Sequence, residues 1–198
     1  MALSGYKYHY NGIGDHDKNA LIKEHKYAFK TSKNISYIVN VEQYKHEVFV
    51  LKFHLKKHSD SPKKYNLLLF NSKDHYKNYK CQDARKVLHT CVLIGKEIAS
   101  KHPHASFGFI GMPTIHDGSI EPLKETPRYQ LYQKLAYFFF KEEHYEHRRN
   151  KDKSVYLLLN KKKIEKNPNI LNDITKMFME AFNIDEIYAN LVLIKDSE

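Results

Sequence analysis

The chain has 198 residues, 41% of them hydrophobic and 13% aromatic, with a formal charge of +10 at neutral pH. That length suits one domain with one sizeable core, and no apolar run approaches the ~18 residues that a transmembrane helix needs. Two cysteines, Cys81 and Cys91, with no C-x-x-C spacing, exclude a disulfide framework and a cysteine-built zinc site.

The opening stretch MALSGYKYHYNGIGDHD has neither a basic start followed by an apolar run nor a small-residue cleavage site. It does not read as a secretory signal, so the expected location is the cytoplasm, with no membrane partner. Residues 1–34 mix charges with turn formers such as Asn11-Gly12-Ile13-Gly14, and are expected to form an N-terminal arm packed on a single α+β domain spanning residues 35–198.

Regular patterning starts at Ile35, where Ile35, Tyr37, Val39 and Val41 alternate as one apolar strand face. Glu47 to Lys56 alternates more cleanly: Phe49, Leu51, Phe53 and Leu55 face one way, while Lys52, His54 and Lys56 are expected on a wet face. A polar turn, His58 to Lys63, leads to Lys64–Phe70, an apolar run that fits a central strand. From Asp83 to Lys101 the period becomes helical, with Ala84, Val87, Leu88, Cys91 and Ile98 on one stripe, Asp83 suited to capping and Pro103 to stopping the helix.

Ala105–Ile110 reads as a short buried strand ending at Gly111, and Met112–Lys124 as a long loop. Thr126 can cap the next helix, and Pro127 can take its first position, where a missing N–H costs nothing. That helix is expected to reach about Tyr145. Ser154–Leu159 is expected as a strand, Ile170–Phe182 as a helix and Glu186–Ile194 as a last strand, while Arg148–Lys153 and Lys161–Lys163 read as exposed basic connections. The order implies an α+β fold: a mainly antiparallel sheet with about three helices packed on one face.

The positive charge points to an anionic partner, since phosphate neutralisation releases counterions and raises affinity. Of the 33 basic residues only Arg85, Arg128, Arg148 and Arg149 are arginines, which argues against sequence-specific readout through forked contacts. Non-specific RNA or DNA is therefore the leading partner, an acidic protein the next. The residues expected to bind an anion or nucleic acid are Arg128, Lys52, His54, Lys56, Arg148 and Arg149.

No serine elbow, phosphate loop, kinase signature or dinucleotide fingerprint is present, and no cofactor is expected. His144-x-x-His147 shares a helical spacing, but a metal site needs about three or four ligands and no third is indicated, so no metal is expected. A metal-independent nuclease or toxin-like enzyme would draw on Arg128 with His89 or His116; an antitoxin or immunity component would use the basic surface against its partner.

Asp83-Ala84-Arg85-Lys86-Val87-Leu88-His89-Thr90-Cys91, the strand ending in Gly111 and Arg128-x-x-Leu131-Tyr132 resemble a family of small bacterial proteins. That family carries a D-x-x-K-V-L-x-T-V helix and a G-S/T-x-x-x-R-x-x-L-Y segment. The resemblance covers about residues 64–140 and implies a compact domain in which Gly111 and Arg128 belong to one feature; no activity follows from it. Two departures stand out: an insertion of about a dozen residues between Gly111 and Thr126, and Gln130 where a second arginine is common.

Arg128 itself lies three and four positions before Leu131 and Tyr132, hence on the apolar face of its helix, and near the positive end of the helix dipole. Two roles are open for it. One is a clamp on a carboxylate (Asp83, Glu97 or a loop carboxylate) or on a backbone carbonyl, and the other an anion site formed with the free N–H groups of the helix start and the loop after Gly111.

Overall fold

The computed structural model describes residues 4–14, 21–61, 64–65, 81–111, 113, 115–116, 119–120, 122–182 and 192–193. In chain order these form β1 (Tyr8–Gly14), β2 (Leu21–Lys30), β3 (Ser36–Tyr44), β4 (Val48–Leu55), α1 (Cys81–Lys101), β5 (Ser106–Ile110), β6 (Ile115–His116), β7 (Ser119–Ile120), α2 (Pro127–Phe139), β8 (Tyr145–Asn150), β9 (Val155–Asn160), α3 (Lys161–Lys166), α4 (Ile170–Phe182) and β10 (Val192–Leu193). The central sheet runs β1-β2-β3-β4-β5-β9-β8-β10, while β6 and β7 form a separate small hairpin. Every pairing in the central sheet is antiparallel except β4 with β5, which the α1 crossover makes parallel. The fold is α+β with a mainly antiparallel sheet, as expected.

The helices do not share one face. Tyr37, Val39, Val41, Phe49, Phe107, Tyr156 and Leu158 pack with Val87, Ile94 and Ile98 of α1 and Tyr129 and Ala136 of α2. The alternate positions Tyr44, Val48, Val50, Val155, Leu157 and Leu159 pack instead with Ile170, Ile174, Met177 and Phe178 of α4. The sheet is thus covered on both sides, which is why all six residues of β9 are buried. An apolar run without alternation is what such a strand requires.

The N-terminal residues are not merely an arm. Ser4 and Tyr6 do lie along α1, their N–H groups donating to His89 Nδ1 (3.2 Å) and Thr90 Oγ1 (2.8 Å). Beyond them, β1 and β2 extend the same sheet, with Tyr27 and Phe29 pointing into the core. The second helix is also shorter than expected, because Phe139 ends it and Tyr145–Asn150 forms β8. Arg148 and Arg149 therefore belong to a strand paired with Leu157 and Tyr156, not to an exposed connection. Beyond Tyr65, the strand expected at Lys64–Phe70 lies outside the described residues, as does most of the last expected strand.

The start of α2 is built as the sequence requires. Thr126 Oγ1 accepts from Tyr129 N at 3.1 Å, Pro127 takes the first helical position, and the same hydroxyl donates to the Gly111 carbonyl at 2.7 Å. Gly111 N in turn donates to Ser154 O at 2.8 Å, and Thr126 N to Ser154 Oγ at 3.0 Å. The end of β5, the β8–β9 turn and the start of α2 are joined at one point.

A Cβ on Gly111 would sit 2.5 Å from Tyr129 Cβ and 2.8 Å from Tyr129 Cα, closer than carbon atoms approach. Both are rigid parts of a buried helix start. Gly111→Ala should therefore destabilise the fold by about 1–3 kcal/mol, the range for overpacking, read as a lower urea midpoint with an unchanged slope.

Candidate nucleic-acid interface

The residues that β4 was expected to show to water are mostly covered. His54 is 2% exposed, and Lys52 Nζ lies 2.6 Å from Glu42 Oε2, whose residue is 1% exposed. Tyr44 donates to the same carboxylate oxygen at 2.8 Å. In the register, Asn40 opposes Lys52, Ile38 opposes His54 and Lys26 opposes Asn40, so β2, β3 and β4 share a polar sheet face. Lys26 approaches Glu24 on that face at 3.7 Å.

Past Leu55 the chain turns through Lys56–His58, and this turn closes on Ser59, whose N–H donates to Lys56 O at 3.1 Å and whose hydroxyl donates there at 2.7 Å. The turn leaves Lys56 and Lys57 exposed. Lys64 Nζ donates back to Ser59 O at 3.0 Å, which draws Tyr65 over the end of β4.

Tyr65 is the piece that covers His54. Its ring stands edge-on to the imidazole, centroids 5.4 Å apart, with the ammonium groups of Lys52 and Lys64 at 5.7 and 5.6 Å from its centroid. Its carbonyl accepts from Arg128 Nη1. Arg128 therefore makes a carbonyl clamp, half-buried at the start of α2. Of the carboxylates expected for it, Asp83 pairs instead with Lys33 at 3.4 Å, and Glu97 with Lys101.

The hydrogen bonds also identify the tautomer of His54. Because the Ser59 hydroxyl gives its proton to Lys56 O, it can only accept from His54 Nε2, 3.3 Å away, which leaves Nδ1 as an unprotonated acceptor. Among the described residues, that buried Nδ1 has no hydrogen-bond partner, and neither has Asn40 Oδ1 on the adjacent strand. Burial, followed by the positive charges of Lys64, His58 and Lys26, lowers the His54 pKa to about 4. At neutral pH the imidazole is therefore uncharged.

The remaining expected site residues are divided. Arg148 pairs with Glu146 through its guanidinium, and Arg149, also half-buried, lies close enough to Tyr129 to oppose the rise in its hydroxyl pKa to about 12 caused by burial. His89 is buried against Phe139, eleven residues along α2 from Arg128, or roughly 16 Å of helix rise. These two are not brought together. His116 lies in β6, and nothing is described of its side chain. His147 is buried in β8, bonded to the Tyr156 hydroxyl at 2.7 Å and the Phe140 carbonyl at 2.9 Å, whereas His144 is exposed in the preceding turn. Among the described residues, no group of three or more His, Cys, Asp or Glu is placed to hold a metal ion.

Lys57, Lys64, Lys26 and Glu42 lie in the same cluster without having been expected there. A signal for the first two was present in the lysine density of Lys56-Lys57-His58-Ser59-Asp60-Ser61-Pro62-Lys63-Lys64. Comparison with family models, curated proteins and solved structures finds no match to this chain. Among the described residues, no helix is long and apolar enough to cross a membrane.

Two outcomes follow from this geometry. Lys52→Met leaves the Glu42 carboxylate buried beside an apolar chain and should cost about 3 kcal/mol or more, whereas Lys52→Met with Glu42→Leu should recover much of that loss, as read by chemical denaturation. His54 has a folded pKa below its unfolded value, so the unfolded chain takes up a proton that the folded chain refuses. Stability should fall as pH drops from about 6.5 towards about 4, with no contribution from this group above that window. In His54→Gln the difference between urea midpoints at pH 7 and pH 5 should shrink.

Proposed function

We propose that this protein is a binding module for nucleic acid, engaging phosphates non-specifically through the end of β4. The observation that carries this reading is the arrangement around Tyr65. Lys56 and Lys57 project from a tight turn, Lys64 and Arg128 are held beside the Tyr65 backbone and ring, and Lys52 and Lys26 are matched by Glu42 and Glu24. The net charge of +10 adds a long-range attraction for a polyanion.

Lysines on a turn act as point charges, and Arg128 and Arg148 are engaged in intramolecular contacts, so backbone neutralisation without base readout is the mode this surface suits. A strong salt dependence is the signature of that mode. With single strands, log affinity falls with log salt by about 0.7 per phosphate neutralised.

Binding of labelled single- and double-stranded RNA and DNA across a salt series tests the proposal. The wild-type chain should bind at low salt with a steep slope. Replacing Lys56 and Lys57, the two exposed lysines of the turn, together by glutamate should weaken binding at least tenfold and flatten the slope by about two phosphates' worth, with no loss of melting temperature. No binding at low salt, or affinity indifferent to salt, would remove the proposal.

A further inference from the structure

Between α1, α2 and the sheet lies an apolar cleft of about 110 Å³. Its floor includes Phe107 and Phe109 of β5, and its walls Leu88, Cys91 and Gly95 of α1 with Tyr132 and Ala136 of α2. Leu88, Cys91 and Tyr132 are each only partly buried, so the cleft reaches solvent. Among the described residues no charged side chain lines it, and burial pushes the Cys91 thiol up to about 12, which keeps it neutral.

Gly95 keeps this space open against the ordinary preferences of a helix. Glycine is a poorer helix residue than alanine because it loses more backbone freedom on folding. A Cβ at position 95 would meet Phe140 Cζ at 3.5 Å and Leu51 Cδ2 at 3.8 Å, both ordinary contact distances, so a methyl group would fit there and improve the packing. Gly111, by contrast, is required by steric exclusion. A position that departs from both propensity and packing where neither obstacle exists is the kind of local inconsistency that marks a functional feature.

We infer that the cleft is a binding site for a small uncharged aromatic molecule, the size of a single ring. Water gains little in an apolar space that offers it few polar partners, whereas an engineered apolar cavity of about 150 Å³ in another protein binds benzene. Aromatic rings at the floor and on α2 supply edge-to-face contacts. The neutral lining excludes carboxylates and ammonium groups. This inference is independent of the nucleic-acid reading, since the cleft and the lysine turn share no residue.

Titration of the full-length chain with benzene, and with benzoate as the charged counterpart, tests it by melting temperature and by methyl NMR. Benzene should bind saturably, raise the melting temperature and shift the methyl signals of Leu88 and Leu135, while benzoate does none of these. Ala136→Leu should weaken benzene binding at least tenfold. Gly95→Ala, which fits the observed spacing and is the milder substitution, should weaken it at least threefold while leaving the unliganded melting temperature equal or higher. Absence of saturable benzene binding to the wild-type chain, shifts confined to methyls elsewhere, or undiminished binding by Gly95→Ala overturns the inference.

Discussion

The junction of Gly111, Thr126 and Ser154 is the constraint on which the arrangement of helix and sheet rests. One threonine hydroxyl accepts from the first turn of α2 and donates to the carbonyl of Gly111, the residue after β5, so the direction of the helix is set by the same atom that anchors it. Ser154, with a left-handed backbone at φ 50°, turns β8 into β9 and presents both its carbonyl and its hydroxyl to that junction. The place of α2 decides where Arg128 reaches and how wide the space beside α1 remains. A one-residue shift at this point would alter the site and the cleft together.

Charge is distributed on the β2–β4 face by depth. At the covered level Glu42 offsets Lys52 and Glu24 approaches Lys26, so a largely buried surface carries little net charge. At the end of the strand, the turn at Lys56–His58 adds positive charge that water can screen. His54 lies at the boundary, and its depressed basicity results from both levels: desolvation from the cover, and repulsion from the cations nearby.

Much of the fold was legible because its pattern is local. The alternation of Phe49, Leu51, Phe53 and Leu55, the stripe of α1, and Thr126-Pro127 as a helix start each follow from neighbouring residues, and the structure has them as read. The misreadings share one physical origin: inward positions filled by polar or aromatic side chains whose partners are distant in sequence. In β8 the inward residues are Tyr145 and His147, the latter satisfied by Tyr156, so a strand resembled the tail of a helix. In α2 the buried stripe runs through Tyr129 and Ala136, while Leu131 is 44% exposed, so the apolar face is rotated from the one the leucine suggested. His54 alternates with core residues and so reads as a wet position, yet Tyr65 covers it. The two-sided cover of the sheet was visible only in β9, whose unbroken apolar run fits no half-exposed strand.

The one parallel pairing has a consequence for how the chain comes together. β1 to β4 form a meander in which each strand meets its immediate successor, so these ladders close short loops and can assemble at small entropic cost. β4 and β5 cannot. Val48 meets Ser106 only after the whole α1 crossover has been drawn back across the sheet, which makes this ladder the most non-local one in the central sheet. The N-terminal meander is therefore the part that chain connectivity favours first, and the β4–β5 seam is the joint at which the two halves of the sheet are committed to one another.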